Sequence, residues 1–475
     1  MPVRSKRSRV GQIQRPKGNG VVGIRYGTTT LGYSGLPDPV SVYARNAHVF
    51  IWGPNKDMLD LLPQIRAENP EMLILVYSSV FRAAPGSGWP VGGLTTPNSS
   101  PSTYVNRPRA DAHDNANPND RWVLRNNNGL GLNEPTYVLL DPGRPSFQQE
   151  CLTNALDWMA DYPELDGVYW DEQNSDYQTA LVSMPAGESK VAYAAPYPST
   201  TPLYPTEGRN SLWEQKMIEF YSVVGAGIRS HISPRGKPYY IMTNVGAQGN
   251  WYDDPSYGGG RQALITLLAP YVDGFLYEWA LQSPNVSPGA SDGDPTPYPM
   301  MYSPQISPAH WTGWWDHWVW RAQYDQSLGK DLYFGNTLTQ QLAGGSVADD
   351  RRKMIMNRAA YLLFWNGLGH GGQYWWFRNT TTVSPFDQRY TNDPGIPAED
   401  PPAVIVVSGG KVAQPRGGVN GRGFRRYWTK CVAMVNPHPT LSETFNLNGS
   451  YTSLDDGSTA SSFTLAPKTG LVAIK

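Results

Sequence analysis

From residue 20 to about 380 the chain alternates short β-rich runs with longer stretches whose apolar residues recur every three or four positions. Val21–Tyr26 is the first such run, and His48–Trp52, closed by Gly53-Pro54-Asn55, is the second. The stretch from Lys56 to Asn69 puts Met58, Leu61, Leu62 and Ile65 on one helical face. Met72–Tyr77 is continuously apolar, as strands covered on both faces are. Further strands are expected at Leu165–Asp171, Tyr239–Asn244, Val272–Glu278, Leu332–Asn336 and Gly372–Phe377. Helices are expected between them at 147–161, 211–232, 260–270, 311–328 and 347–365. Eight strand–helix units in this order predict a (β/α)8 barrel, the TIM-barrel form of the α/β class. An open doubly wound sheet would normally carry a Gly-rich phosphate loop after its first strand, and Gly23 with Gly27 does not make one.

Two segments break the alternation. Residues 83–145, after the third strand, are rich in Gly, Pro and Asn and too long for an ordinary connector, so they read as a loop insertion over the catalytic end of the barrel. Beyond residue 400 the helical spacing disappears. Short runs such as Val404–Val407, Cys431–Val435 and Leu471–Ile474 are separated by turn residues, which predicts a small C-terminal antiparallel β-sandwich. The expected division is a flexible basic arm over 1–19, the barrel over 20–395 and the β domain over 401–475.

Composition narrows the chemistry. The 475 residues suit a large barrel with an accessory module. With 39 basic and 40 acidic residues the chain has no charge excess, which argues against general nucleic-acid binding. Seventeen Trp and 28 Tyr against 12 Phe favour side chains with an apolar face and a polar edge, the type that stacks on sugar rings, although a large barrel also packs many aromatics. The helical spacing of Trp311, Trp314, Trp315, Trp318 and Trp320 marks most of that run as packing. Cys151 and Cys431 make neither a disulfide framework nor a zinc site, and the seven His are scattered, so no cofactor and no metal are expected. Neither a membrane-length apolar run nor the apolar stretch of a signal peptide is found.

The candidate chemistry lies in a repeated phrase. Asp166-Gly167-Val168-Tyr169-Trp170-Asp171 and Asp273-Gly274-Phe275-Leu276-Tyr277-Glu278 both run Asp-Gly, three bulky residues, then an acid. Each phrase puts an acid at the C-terminal end of a strand, where barrel active sites form, and alternate strands contribute to the same layer. Two such carboxyls suit glycoside cleavage, in which one protonates the leaving oxygen and the other attacks the sugar or activates water. Asp171 is the expected nucleophile, or base if the enzyme inverts. Glu278, flanked by Tyr277 and Trp279, is the expected general acid. The competing reading has both acids capping helices or pairing with arginines. Glu172 is a supporting acid at most, because neighbouring residues on a strand point apart. Asp166 and Asp273 read as turns entering the strands. Arg25, Tyr26, Trp52, Tyr77, Asn244, Trp279, Asn336, Trp375 and Trp376, at or just past strand ends, are the expected substrate-binding set.

The chain also resembles a family of glycoside hydrolases inferred from sequence in bacteria and phages, barrels related to the α-galactosidase-like group. The likeness rests on Trp122-Val123-Leu124 with Gly129 and Leu140-Asp141-Pro142-Gly143, on Leu165–Asp171, on the strand ending at Glu278, and on the block from Gly409 to Pro437. It implies a catalytic Asp on the fourth strand and an acid on the sixth, here Asp171 and Glu278. Trp170 before Asp171 and Glu172 after it depart from the pattern. The resulting expectation is a glycosidase acting on a polysaccharide, a bacterial cell-envelope glycan being one candidate. The alternative is a noncatalytic carbohydrate-binding or phage virion structural protein on the same scaffold, for which virion or homo-oligomer association stays open. A metal-dependent deacetylase or lyase lacks its His/Asp clusters.

Overall fold

The computed structural model describes residues 22–25, 44–52, 59–83, 105, 107–124, 138–171, 211–244, 265–277, 314–337, 347–367, 369–376, 388–407, 410–438 and 440–475. In chain order the first part runs β1 (Val22–Arg25), β2 (Val49–Trp52), α1 (Leu62–Glu68), β3 (Leu73–Ser79), β4 (Arg82–Ala83), α2 (Arg107–Ala116), β5 (Val138–Leu139), α3 (Pro145–Asp161) and β6 (Gly167–Asp171). Helix α4 (Ser211–Phe220) follows, continued by a π-helical turn (Tyr221–Gly225) and a last α-helical turn (Ala226–Arg229). Then come β7 (Tyr240–Asn244), β8 (Gly274–Tyr277), α5 (Trp314–Ser327), β9 (Asp331–Thr337), α6 (Val347–Phe364) and β10 (Gly372–Trp376). Each of the eight β-rich runs becomes a strand of one parallel sheet, ordered β1-β2-β3-β6-β7-β8-β9-β10. Strands β1 and β10 lie side by side, so the sheet closes into a barrel. No described helix is long and apolar enough to cross a membrane.

Strand alternation sorts the core into two layers. Val49, Ile51, Leu75, Tyr169, Met242 and Leu276 fill the barrel interior. Phe50, Ile74, Val76, Val168, Trp170 and Phe275 face the helices. Trp315, from the Trp-rich helix, packs on Phe364 and Phe424, as its spacing predicts.

The Asp-Gly pairs do more than turn the chain. Asp166 accepts the Ile74 N–H at 2.8 Å and pairs with Arg66 and Arg235, each at 2.8 Å. Asp273 accepts the Ile241 N–H at 2.9 Å and pairs with Arg229 at 3.1 Å. Each Asp therefore satisfies a backbone donor of the preceding barrel strand, at the end of the barrel opposite the mouth.

The 83–145 insertion, expected as a loop, contains structure in its described part. Leu124 and Asp141 bridge 122–124 to 138–141, and Leu140 bonds Phe81, giving a small ladder beside β4 and β5. Asp114 on α2 accepts the Trp122 N–H at 2.7 Å, and His113 stacks on Trp122. Tertiary burial of Trp122, Val138 and Leu139 overrides a loop-like composition.

His48, just before β2, reaches under the barrel to the carbonyls of His370 (2.5 Å) and Gly371 (3.0 Å). Burial is the main cause that lowers its pKa from 6.5 to about 4. The folded chain thus resists a proton that the unfolded chain takes up below pH 6.5. Stability is full above that pH and falls as pH drops from 6.5 towards 4, by about 3 kcal/mol in total. Urea denaturation across this range should show the slope, and His48→Asn should flatten it. An unchanged slope in the variant would assign the effect to other groups.

The second part comprises α7 (Gln388–Thr391), a ladder of β11 (Val404–Val407) with β12 (Gly410–Ala413), and five strands. These are β13 (Phe424–Tyr427), β14 (Cys431–Asn436), β15 (Glu443–Ser453), β16 (Thr459–Leu465) and β17 (Thr469–Ile474), forming an antiparallel sheet ordered β13-β14-β17-β15-β16. Phe445 and Leu465 of the long β15–β16 hairpin pack in one cluster with Val432, Met434 and Leu471. The other face lies on α6, where Gly470 approaches Met356 and Ala359 so closely that a Cβ would come within 3.0 Å of both.

Arg426 ties this sheet to the barrel. Its guanidinium donates to the carbonyls of Leu362 (3.0 Å), Leu363 (3.3 Å) and Trp365, and to that of Glu399 (2.9 Å). Trp428 adds an indole N–H to Leu362 at 3.1 Å and stacks on Trp365. The orphan carbonyls at the end of α6 are therefore capped from β13. Burial brings the Arg426 pKa down to about 10, so the group remains charged at neutral pH. Arg426→Met leaves those carbonyls unsatisfied and should cost about 2–4 kcal/mol. A urea midpoint equal to wild type would refute the capping role.

Candidate active site at the mouth of the barrel

Asp171 ends β6, and its side chain is buried, with 5% exposure. Three side chains donate to its carboxylate among the described residues. Tyr77 Oη on β3 reaches Oδ2 at 2.8 Å, while Tyr169 Oη (3.1 Å) and Asn244 Nδ2 on β7 (2.8 Å) reach Oδ1. Strand register explains the convergence. Tyr77 pairs with Tyr169 and Ser79 with Asp171, while Trp170 pairs with Thr243 and so brings the next residues, Asp171 and Asn244, level. Tyr77, Tyr169, Asp171 and Asn244 therefore meet on the interior face of three adjacent strands. Donors from three different strands fix the positions of both carboxylate oxygens.

Two of the expected binding residues, Tyr77 and Asn244, are thus brought onto Asp171. Tyr169 was not anticipated. Its signal was present in the sequence, because it precedes Asp171 by two residues and therefore shares its face.

Below this level the interior is filled. Tyr240 Oη donates to Asp331 at 2.8 Å and lies 2.9 Å from Tyr333 Oη. Burial, with Asp331 adding to it, pushes both phenols well above their ordinary range, so they stay neutral. Outside the barrel, Tyr277 at the end of β8 donates to Asp325, and the Arg321 guanidinium lies 3.5 Å from the Tyr277 ring centre.

Glu278, Glu172, Tyr26 and Trp279 lie outside the described residues. Arg25, Trp52, Asn336, Trp375 and Trp376 lie in β1, β2, β9 and β10 as backbone positions. Arg25 pairs with Trp52, Trp52 with Val76, Trp375 with Asn336, and Trp376 with Thr337. All five occur within the last two residues of their strands, at the end where Asp171 stands. Among the described residues, no group of three or more His, Cys, Asp or Glu is placed to hold a metal ion.

No protein-family model and no curated protein matches the chain. Among solved structures it is similar to an α-amylase from Geobacillus thermoleovorans complexed with acarbose, at 10% identity and a TM-score of 0.43 over 97% of this chain and 99% of that one. It is also similar to a glycoside hydrolase family 30 xylanase from Clostridium acetobutylicum, at 11% identity and a TM-score of 0.43 over 96% of both chains. A GH36 α-galactosidase from Geobacillus stearothermophilus matches at 10% identity and a TM-score of 0.43, over 96% of this chain and 56% of that one. These three structural neighbours are glycoside hydrolases.

Proposed function

We propose that the chain is a glycoside hydrolase acting on a polysaccharide, with Asp171 as the nucleophile, or as the base if the reaction inverts. The observation that carries this reading is the Asp171 carboxylate itself, a buried acid at a barrel mouth held by Tyr77, Tyr169 and Asn244. With Tyr77, Tyr169 and Asn244 fixing both of its oxygens, the carboxyl group is held in one orientation at the barrel mouth, which suits attack on an anomeric carbon or on a water.

Glu278 is the general acid in this reading, and the barrel's geometry supports the choice. Tyr240 on β7 meets Asp331 on β9, two strands over and two residues beyond its register partner. Tilted strands produce that offset between side chains at one height. The same step from Asp171 passes from β6 to β8, whose Leu276 pairs with Asn244, and two residues on in sequence is Glu278. Arg25, Tyr26, Trp52, Trp279, Asn336, Trp375 and Trp376 would supply hydrogen bonds and stacking around the rim, with Glu172 in support.

The test is a screen of the full chain on nitrophenyl glycosides and on bacterial cell-envelope polysaccharides. Wild type should release reducing sugar, while Asp171→Asn and Glu278→Gln should not. Saturable glycan binding by wild type without any release would overturn the hydrolase reading in favour of a carbohydrate-binding scaffold.

A further inference from the structure

Asp171 and Asn244 face the barrel interior, and the residues just before them, Trp170 and Thr243, face outward. Trp170 and Thr243 are register partners on β6 and β7. Both meet the same side chain from the helical layer. Tyr221 Oη lies 2.5 Å from Thr243 Oγ1, and the Tyr221 ring meets Trp170 edge-on at 5.0 Å between centroids. Tyr221 opens the π-helical turn that interrupts the helix after α4, and such turns are rare and concentrate at functional sites. Gly225 closes it. The turn lies directly over both strands, since a Cβ at Gly225 would stand at ordinary contact distance from the Trp170 ring, 3.7 Å, and from Ile241, 3.6 Å.

For packing alone a phenylalanine would serve. The hydroxyl needs a separate reason, because burying it against Thr243 is favourable only while each satisfies the other. That pairing is a directional tie from the helix to β7, one residue before Asn244. Burial pushes the Tyr221 phenol well above its ordinary range, so the tie stays neutral and protonated.

We propose that Tyr221 is a positioning residue that acts from outside the barrel, holding Thr243 by its hydroxyl and Trp170 by its ring so that Asn244 stays bonded to Asp171. Its importance for turnover rests on the reading of Asp171 as the reacting carboxylate, but the geometric effect does not depend on that reading.

The test uses the full chain labelled with 15N-asparagine, the Asn244 carboxamide signal being assigned by its loss in Asn244→Ala. Tyr221→Phe and Thr243→Val each remove one hydroxyl and keep the volume, and Thr243→Ser keeps the hydroxyl. Carboxamide hydrogen exchange at Asn244 should accelerate about tenfold in the first two variants and stay within about twofold of wild type in Thr243→Ser. An Asn244 exchange rate unchanged in both Tyr221→Phe and Thr243→Val, even with a lowered melting temperature, would reduce Tyr221 to ordinary core and overturn the proposal. Failure of wild type to cleave any glycan would sink the hydrolase reading while leaving this result intact.

Discussion

Asp171→Asn should abolish turnover, lowering kcat by at least about 10³-fold, while the folded state stays close to wild type. The substitution is nearly isosteric, and its neighbours can adapt. The hydroxyls of Tyr77 and Tyr169 rotate to accept as well as donate, and the Asn244 amide can turn its oxygen towards the new NH2 group. What the variant cannot restore is the negative charge. Asp171→Ala makes the contrast, since it leaves three donors without their acceptor at a buried site, each costing about 1–3 kcal/mol if unsatisfied. Melting temperature and rate measured on both variants separate the two effects. An Asp171→Asn protein retaining a tenth of wild-type activity would remove Asp171 from the chemistry.

The largest effect on folding is expected at Gly167. A Cβ there would lie 1.9 Å from the Tyr240 carbonyl oxygen and 2.7 Å from the Tyr240 N and C atoms. These are backbone atoms of the strand with which Gly167 pairs, so relief would require β6 and β7 to part. Gly167→Ala should therefore cost more than about 4 kcal/mol and leave little folded protein, read by urea denaturation or soluble yield. Gly274, in the same place in the second phrase, is an internal control. There the Cβ would meet the Tyr240 hydroxyl and the Tyr333 ring at 2.6 Å, both ends of side chains, so Gly274→Ala should be milder, about 1–3 kcal/mol. Equal losses at the two glycines would contradict this account.

These two positions also show what was legible in the sequence and what was not. The repeated phrase marked both strands and their mouths because strands buried on both faces read as continuous apolar runs. The purpose of its Asp-Gly pair was hidden. Arg66 and Arg235 flank Asp166 from 100 and 69 positions away, and nothing local announces such partners. The 83–145 insertion was unreadable for a similar reason, since its ladder is held by burial of Trp122 and by Asp114, while its composition speaks only of turns. Tyr77 and Asn244 could be nominated as strand-end polar groups, but their convergence on one carboxylate required the register of β3, β6 and β7.

The capping of α6 by Arg426 and the packing of β17 against the same helix have a consequence for the order of synthesis. Helix α6 is completed 62 residues before Arg426 and about 110 before Ile474, so at ~5–20 residues per second its C-terminal carbonyls wait roughly 3–12 s and its apolar face roughly 5–20 s for their cover. During that interval the nascent barrel carries an uncovered surface, with Met356 and Ala359 open to other chains. Synonymous changes or stalling that prolong the delay should therefore raise aggregation without altering a single residue of the finished protein.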